Sequence, residues 1–152
     1  MSKEADNVAN GGMFAYRKLD VYANSKKYVA DIYQLLQKFP NEERFAMCNQ
    51  LRRAAVSITS NIAEGMGRFS DKEKLHFIEI AFGSLYETMS QIELALDFNY
   101  ITQNEFVNME EQVVVISKML SGLRNSIISR MESQKQSSSS EKKDNNVDWV
   151  KI

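Results

Sequence analysis

Apolar residues recur at alternating three- and four-residue steps in four successive segments of the sequence. Such steps place one side chain per turn on the same face of an α-helix, so each segment predicts an amphipathic helix. The last segment shows the pattern most clearly, because seven apolar residues follow a heptad spacing there: Phe106, Met109, Val113, Ile116, Leu120, Leu123 and Ile127. No alternating strand pattern competes, and the sequence therefore predicts an all-α protein.

Helix-stop and helix-start residues set the bounds of the first two predicted helices. The first helix runs from about Leu19 to Gln37 and stops before Pro40, because proline lacks the amide donor that a helix needs. Asn41 is the expected N-cap of the second helix. That helix ends near Glu64, where two glycines follow within three residues.

Capping boxes open the third and fourth predicted helices. Ser70 precedes Glu73 by three residues, and Thr102 precedes Glu105 by the same spacing. In this arrangement each side chain satisfies the free backbone amide of the other residue. The connections between helices are short, so successive helices should pack antiparallel. The predicted fold is an antiparallel up-down-up-down four-helix bundle.

The predicted domain bounds follow changes in composition. The bundle is expected over residues 16–132, after a disordered N-terminal segment at 1–15. Residues 133–152 form a Ser/Lys-rich tail that we expect to be disordered, because it cannot offset its ordering entropy by burial. Trp149 lies in this tail, where an exposed remnant and a short docking peptide are both open interpretations.

Neither a secretory signal nor a membrane span is visible in the sequence. Residues 1–12 lack the apolar core of a signal peptide, and no apolar run approaches the roughly 20 residues of a spanning helix. Cys48 is the only cysteine, so no intrachain disulfide is expected and a reducing compartment is the default. We expect a cytoplasmic protein with no membrane partner.

Residues that could support catalysis are scarce. A di-iron helical bundle uses two Glu-x-x-His pairs. Only Glu73 and His76 have this spacing, and His76 is the only histidine. A Ser–His–Asp triad would depend on the same single histidine, and neither a nucleophile-elbow motif nor a phosphate-binding loop motif occurs. We therefore expect no enzymatic activity, no metal site and no cofactor.

A polar stripe crosses the second predicted helix at helical spacing. Its members, with an expected partner on the third helix, are Arg53, Ser57, Asn61, Glu64 and Glu87. A polar stripe packed against another helix must be hydrogen-bonded internally, so we expect Arg53 or its neighbour Arg52 to pair with Glu64 and Glu87. A structural layer that sets helix register and a functional pocket are both open interpretations.

Three separated blocks of sequence carry a family resemblance. They are LRRAAVSITSNIAEG at 51–65, IAFGSLYETMSQIELA at 80–95 and IYQLLQKFPNEERF at 32–45. Together they resemble the four-helix bundle family of 23S rRNA intervening-sequence proteins, which includes the accessory variability protein of diversity-generating retroelements. The resemblance covers about Leu19 to Arg130.

The resemblance implies a bundle that assembles as a pentameric ring. Family members are encoded within insertions in ribosomal RNA genes or beside retroelement reverse transcriptases. RNA or DNA and a reverse transcriptase are therefore the implied partners. The retroelement members are strongly basic, whereas this chain departs from them with a formal net charge of −1.

Basic residues outnumber acidic residues between Met13 and Arg53, whereas acidic residues outnumber basic ones from Ala54 to Glu132. The candidate nucleic-acid-binding residues are Arg17, Lys18, Lys26, Lys27, Arg44, Arg52 and Arg53. An oligomer could repeat such a patch and raise avidity without a high net charge. We expect a non-enzymatic, nucleic-acid-associated adaptor, and a protein-only scaffold stays open as the alternative.

The third predicted helix is apolar on more than one side. Ile78, Phe82 and Tyr86 follow four-residue steps that are offset from its main seam, and Tyr28 and Tyr33 flank the seam of the first helix. Left exposed, these side chains would form a large apolar patch. We expect the outer side of the third helix, with Ile78, Phe82 and Tyr86, to form the interface of a cyclic homo-oligomer, for which the resemblance suggests five subunits.

Overall fold

The computed structural model of the protein describes residues 14–144. They form four α-helices, α1 (Asp20–Leu36), α2 (Met47–Met66), α3 (Asp71–Asp97) and α4 (Gln103–Asp144), and none of these residues lies in a strand. Short 3-10 helices precede α1 and α2, at Ala15–Lys18 and Asn41–Glu43. No helix in this part of the chain carries an apolar stretch that could cross a bilayer.

The helices pack as an antiparallel square. α2 lies between α1 and α3, and α4 closes the square by contacting both α3 and α1. The apolar faces of α2 and α4 are buried in the core of the bundle. Burial of such faces is the main favourable contribution to folding. The predicted four-helix bundle is therefore confirmed.

A buried hydrogen bond crosses the centre of the bundle. The Tyr28 hydroxyl on α1 lies 2.9 Å from Thr88 Oγ1 on α3, and both side chains are fully buried. Thr88 Oγ1 donates to the carbonyl oxygen of Leu85 at 2.6 Å, so its single proton is used and Tyr28 must donate. Burial raises the pKa of Tyr28 to about 12, against the opposing effect of the Thr88 contact. The prediction that Tyr28 flanks the seam is wrong, because this partner lets its hydroxyl enter the core.

The predicted capping box of α4 is complete, whereas that of α3 is half formed, because only the Ser70 side chain acts as a cap there. The Glu73 amide donates to Ser70 Oγ at 3.1 Å. At the start of α4, the Thr102 amide donates to Glu105 Oε1 at 2.9 Å, and the Glu105 amide donates to Thr102 Oγ1 at 3.2 Å. The Lys38 ammonium and then the Thr102 amide hold the pKa of Glu105 below its usual value. These contacts fix where α3 and α4 begin.

The start of α2 differs from the prediction. Asn41 opens a single 3-10 turn instead of capping the α-helix, which begins at Met47. Glu43 supplies the cap, because its Oε2 accepts the Met47 amide at 3.2 Å. The carboxylate also lies where the helix dipole favours negative charge. The predicted N-cap is therefore wrong: Ala46 holds the N-cap position, the Glu43 side chain satisfies the first amide, and the helix begins later.

Helix α4 continues through Asp144, although a disordered tail was predicted from residue 133. The extension mixes good helix formers (Gln, Lys and Glu) with serines, and it continues a helix that the bundle has already nucleated. Its serines donate to backbone carbonyls one turn earlier, as Ser137 Oγ does to the Ser133 carbonyl at 2.8 Å. Twelve residues at helical rise add about 18 Å beyond residue 132. Residues 1–13 and 145–152, with Trp149, lie outside the described residues.

Candidate functional site

Contacts between neighbouring helices show which residues share each end of the bundle. Arg130 of α4 donates through Nε to Asp71 Oδ2 at 3.2 Å, beside the α2–α3 turn. At the opposite end, Lys38 forms an ion pair with Glu105. The start of α1, the end of α2, the start of α3 and the C-terminal half of α4 therefore lie together.

Charge is segregated between these two ends. We call residues 14–27, 58–86 and 116–142 the basic end, and residues 28–57 and 87–115 the acidic end. Among these described residues, the basic end carries twelve Lys or Arg residues and seven Asp or Glu residues. The acidic end carries four Lys or Arg residues and nine Asp or Glu residues. A chain with almost no net charge therefore presents two oppositely charged ends.

The predicted basic patch is divided between the two ends. Four of its members lie at the basic end, namely Arg17, Lys18, Lys26 and Lys27. Arg44, Arg52 and Arg53 lie at the acidic end, because α2 begins where α1 stops. Lys27 also pairs with Asp31 at 3.1 Å. The predicted residues are therefore not one continuous surface.

The basic end also includes basic residues that the sequence analysis placed in an acidic half or in the tail. They come from the start of α3 and the end of α4, and include Lys72, Lys118, Arg124, Arg130 and Lys135. The sequence contains the signal that could have found them. An up-down-up-down topology brings the start of the third helix beside the end of the fourth, so charges should be summed by end.

A groove of about 770 Å³ opens at the basic end, between the α2–α3 turn and the C-terminal part of α4. Four cationic side chains contribute to its walls, which are Lys72, Lys74, Arg130 and Lys135. The groove also contains an aromatic ring and neutral polar side chains, from Phe69, Ser70, Gln134 and Ser138. Cations, a ring and hydrogen-bonding groups are the components of nucleic-acid surfaces.

Two cations of this groove are committed to the protein's own structure. Arg130 holds Asp71 through two hydrogen bonds, and this contact lowers the pKa of Asp71 and raises that of Arg130. Lys74 Nζ donates to the carbonyl oxygens of Met66 and Arg68, which α2 leaves free at its end. Lys72 and Lys135 form no salt bridge within residues 14–144 and remain available to an anion.

The turn that carries the groove is held by tight helix packing. Gly65 of α2 is buried against α3, and a Cβ atom at this position would lie 2.9 Å from Phe77 Cβ. The Arg68 guanidinium lies 4.5 Å from the centre of the Phe77 ring and also donates to Glu64 at 2.8 Å. These contacts fix the position of Phe69, whose side chain is fully exposed.

The polar layer between α2 and α3 is smaller than predicted. Ser57 Oγ lies 2.7 Å from Ser84 Oγ, and Asn61 Nδ2 donates to Ser57 Oγ at 2.9 Å. Because these side chains are small, the two helices approach closely and the polar groups reach one another. The hydrogen-bonding groups of the layer are therefore satisfied internally. Sequence reasoning missed Ser84, although it lies on the face of α3 that is turned toward α2.

The predicted ion pairs of this layer are wrong. Arg53 is exposed, and Glu64 pairs with Arg68 one turn later. Glu87 accepts a hydrogen bond from Gln91 at 3.2 Å. Long charged side chains stay at the surface because burying a charge is costly unless it is fully paired.

The Arg52 guanidinium lies 5.8 Å from the centre of the half-exposed Tyr33 ring. A shallow surface of about 480 Å³ surrounds this pair and also includes Arg53, Asn49 and Ser60. These two arginines belong to the part of the predicted basic patch that lies at the acidic end.

The predicted outer side of α3 is partly wrong. Ile78 is fully buried and belongs to the core, while Phe82 is half-buried against it. Tyr86 is 63% exposed, as the prediction requires. The core face of α3 is rotated from the expected seam, because the helix is apolar around much of its circumference and packing selects the face. Ile80 and Leu94 are the further exposed apolar residues of this helix.

His76 lies on α3 and Cys48 lies on α2, so these two reactive side chains do not share one site. His76 is exposed, with its ring 5.6 Å from that of Phe77. Cys48 is buried, and burial raises the pKa of its thiol while Arg52 acts in the opposite direction. Within the described part of the chain, no group of three or more His, Cys, Asp or Glu side chains could hold a metal ion.

Comparisons with known proteins agree with the family resemblance. A family model described as 23S rRNA-intervening sequence protein matches residues 17–122. Among solved structures, the chain is similar to a protein of unknown function from the S23 ribosomal protein family of Bacteroides thetaiotaomicron. The two share 26% identity with a TM-score of 0.64, over 69% of this chain and 95% of that chain. No curated protein matches the sequence. Since the family model covers more than half of the chain, the protein belongs to the 23S rRNA-intervening sequence protein family.

Proposed function

We propose that this protein is a non-enzymatic adaptor that binds RNA or DNA through its basic end. The observation that carries the proposal is the segregation of charge along the bundle axis. Twelve cationic residues are gathered at one end, and Lys72 and Lys135 there have no carboxylate partner among the described residues. Phosphate groups are attracted by such a local concentration of cations.

The near-neutral net charge does not oppose this proposal. Helix α1 alone has 17 residues, so the two tips of the bundle lie roughly 25 Å apart at helical rise, although the two charged regions meet at its middle. The Debye length at physiological ionic strength is about 8 Å, so acidic residues near the far tip are screened from a phosphate bound at the opposite tip. The acidic end would instead limit binding to one orientation.

A salt series tests whether phosphates are bound at all. Affinity for a structured RNA and for duplex DNA would be measured by fluorescence anisotropy from low to high salt. We expect the logarithm of the affinity to fall linearly with the logarithm of the salt concentration, by about 0.9 per phosphate contact on duplex DNA. Absence of binding at low salt would leave the protein-only scaffold as the better interpretation.

Two matched double variants test the location of the site. Lys72→Gln with Lys135→Gln removes two cations from the basic end, and Arg44→Gln with Arg53→Gln removes two cations from the acidic end. We expect only the first variant to weaken binding and to reduce the salt slope, by up to about 1.8 for two lost contacts. Equal losses in both variants would contradict a site at the basic end.

We also propose that the protein assembles as a cytoplasmic, cyclic homo-oligomer, with five subunits as the first choice. The supporting observation is the exposure of Ile80, Tyr86 and Leu94 on α3, apolar side chains that a second subunit would cover. Light scattering is expected to give a multiple of 17.4 kDa, and Leu94→Lys should reduce it without loss of helicity. A wild-type monomer would refute the assembly.

A reverse transcriptase is the proposed protein partner. Co-purification of the protein with such an enzyme tests this proposal.

A further inference from the structure

We propose that the groove at the basic end binds an unpaired nucleic-acid strand, with one base stacked on the Phe69 ring. This inference rests on the proposed function and adds the class of nucleic acid. Its starting observation is that Phe69 is fully exposed at the rim of a groove that also contains Lys72, Arg130 and Lys135. An exposed ring beside cations is the combination that single-strand binding surfaces use.

The Phe69 ring is free of the contacts that occupy the exposed rings of Tyr33, Phe45 and Phe98. Tyr33 and Phe45 each lie beneath a neighbouring arginine, and Phe98 packs against Tyr100 with a centroid separation of 5.7 Å. Within residues 14–144, Phe69 has neither an aromatic nor a cationic partner of this kind. Its faces are therefore available to a base.

The surroundings of the ring suit a nucleotide. Lys72 follows Phe69 by three residues, and Lys135 faces it from α4 across the groove. Because Arg130 is held by Asp71, the two lysines are the cations left for phosphates. Ser138 offers a neutral hydroxyl near the same opening. The groove is broad and open to solvent, so one nucleotide has room.

An unpaired strand exploits this ring in a way that a duplex does not. In a duplex the base faces are covered by neighbouring bases, so only phosphates and base edges are presented. In a single strand a base can leave its neighbours and stack on an aromatic side chain. Loss of the Phe69 ring should therefore weaken single-strand binding selectively, whereas loss of Lys72 or Lys135 should weaken both forms.

The test compares Phe69→Ala with Phe45→Ala, which removes an 86% exposed phenylalanine at the acidic end. Anisotropy would be measured with an unstructured single strand and its duplex, each as RNA and as DNA. We expect Phe69→Ala to weaken single-strand binding by about 5- to 150-fold, the loss caused by removing one base–aromatic stack. Duplex binding should change less than about twofold, and Phe45→Ala should leave both affinities unchanged.

A second variant reports stacking directly. Phe69→Trp in a Trp149→Phe background places the only tryptophan in the groove, and its emission should be quenched by the single strand but not by the duplex. Equal effects of Phe69→Ala on both forms, or no effect on either, would overturn the inference while the proposed function stands. If the wild-type protein binds neither form at low salt, the proposed function is itself wrong and the inference falls with it.

Discussion

Replacement of Gly65 by alanine tests the close approach of α2 and α3. The added Cβ would lie 2.9 Å from Phe77 Cβ and 3.5 Å from the Lys74 carbonyl oxygen. Carbon atoms pack favourably at about 3.5–4.0 Å, so the first contact is too short. Phe77 Cβ is fixed to the backbone and cannot rotate away, so relief requires a shift of one helix. Overpacking of this kind costs about 1–3 kcal/mol.

An opposing effect reduces the observed loss. Alanine is favoured over glycine in a helix interior by about 1 kcal/mol. The free energy of unfolding of Gly65→Ala should therefore be lower than that of the wild type by about 0–2 kcal/mol. Gly83 on α3 provides the matched control, because a Cβ there meets no heavy atom within 4 Å. Gly83→Ala should raise the stability by about 1 kcal/mol.

Urea unfolding followed by circular dichroism gives both values. The difference between the two variants isolates the cost of the contact, since the helix propensity gain is common to both, and we expect about 1–3 kcal/mol. The slope of the unfolding free energy against urea concentration should be the same in the wild type and both variants. Their stabilities can then be compared directly. If Gly65→Ala stabilised the protein as much as Gly83→Ala, the packing described for the α2–α3 turn would be wrong.

Three further predictions concern the bundle. Because the pKa of Tyr28 is raised to about 12, its contribution to stability should be complete below pH 10 and lost between pH 10 and 12, and Tyr28→Phe should remove this loss in alkaline urea titrations. Thr102→Ala should lower the free energy of unfolding by about 1 kcal/mol, since the α4 capping box is reciprocal, whereas unchanged urea stability would contradict that role. Deletion of 133–152 should lower the absolute helical signal in circular dichroism by the share of about twelve helical residues, while an unchanged signal would contradict the α4 extension.

The sequence predicted the helices well because their signals are local. Apolar period decides the element type, and the Thr102–Glu105 box marks the start of α4 within one residue. The start of α2 was predicted less well, since Asn41 and Glu43 are both plausible caps and only the backbone path between Pro40 and Met47 decides between them.

Long-range contacts explain the errors in the core. Ile78 and Phe77 are neighbours in an apolar helix, and a period alone does not select which of them faces inward. Tyr28 is buried because Thr88, 60 residues away, accepts its hydroxyl proton. The sequence around Tyr28 does not indicate Thr88 as a partner, and the sequence around Thr88 does not indicate Tyr28.

The candidate site was missed for a similar reason. Lys72 and Lys135 belong to a segment and a tail that sequence reasoning treated as acidic and disordered. The antiparallel fold brings them together at the basic end, and the continuation of α4 through Asp144 provides one wall of the groove. The predicted topology contained the pairing of helix ends, but the extent of α4 did not follow from composition.

Methionine methyl groups offer the most direct test of where nucleic acid is bound. Met66 and Met131 lie at the basic end, and Met47 and Met109 lie at the acidic end. In ¹³C-methyl spectra recorded during titration with a single-stranded RNA, we expect the signals of Met66 and Met131 to shift while those of Met47 and Met109 stay in place. Shifts confined to Met47 and Met109, or no shift at any of the four, would contradict a nucleic-acid site at the basic end.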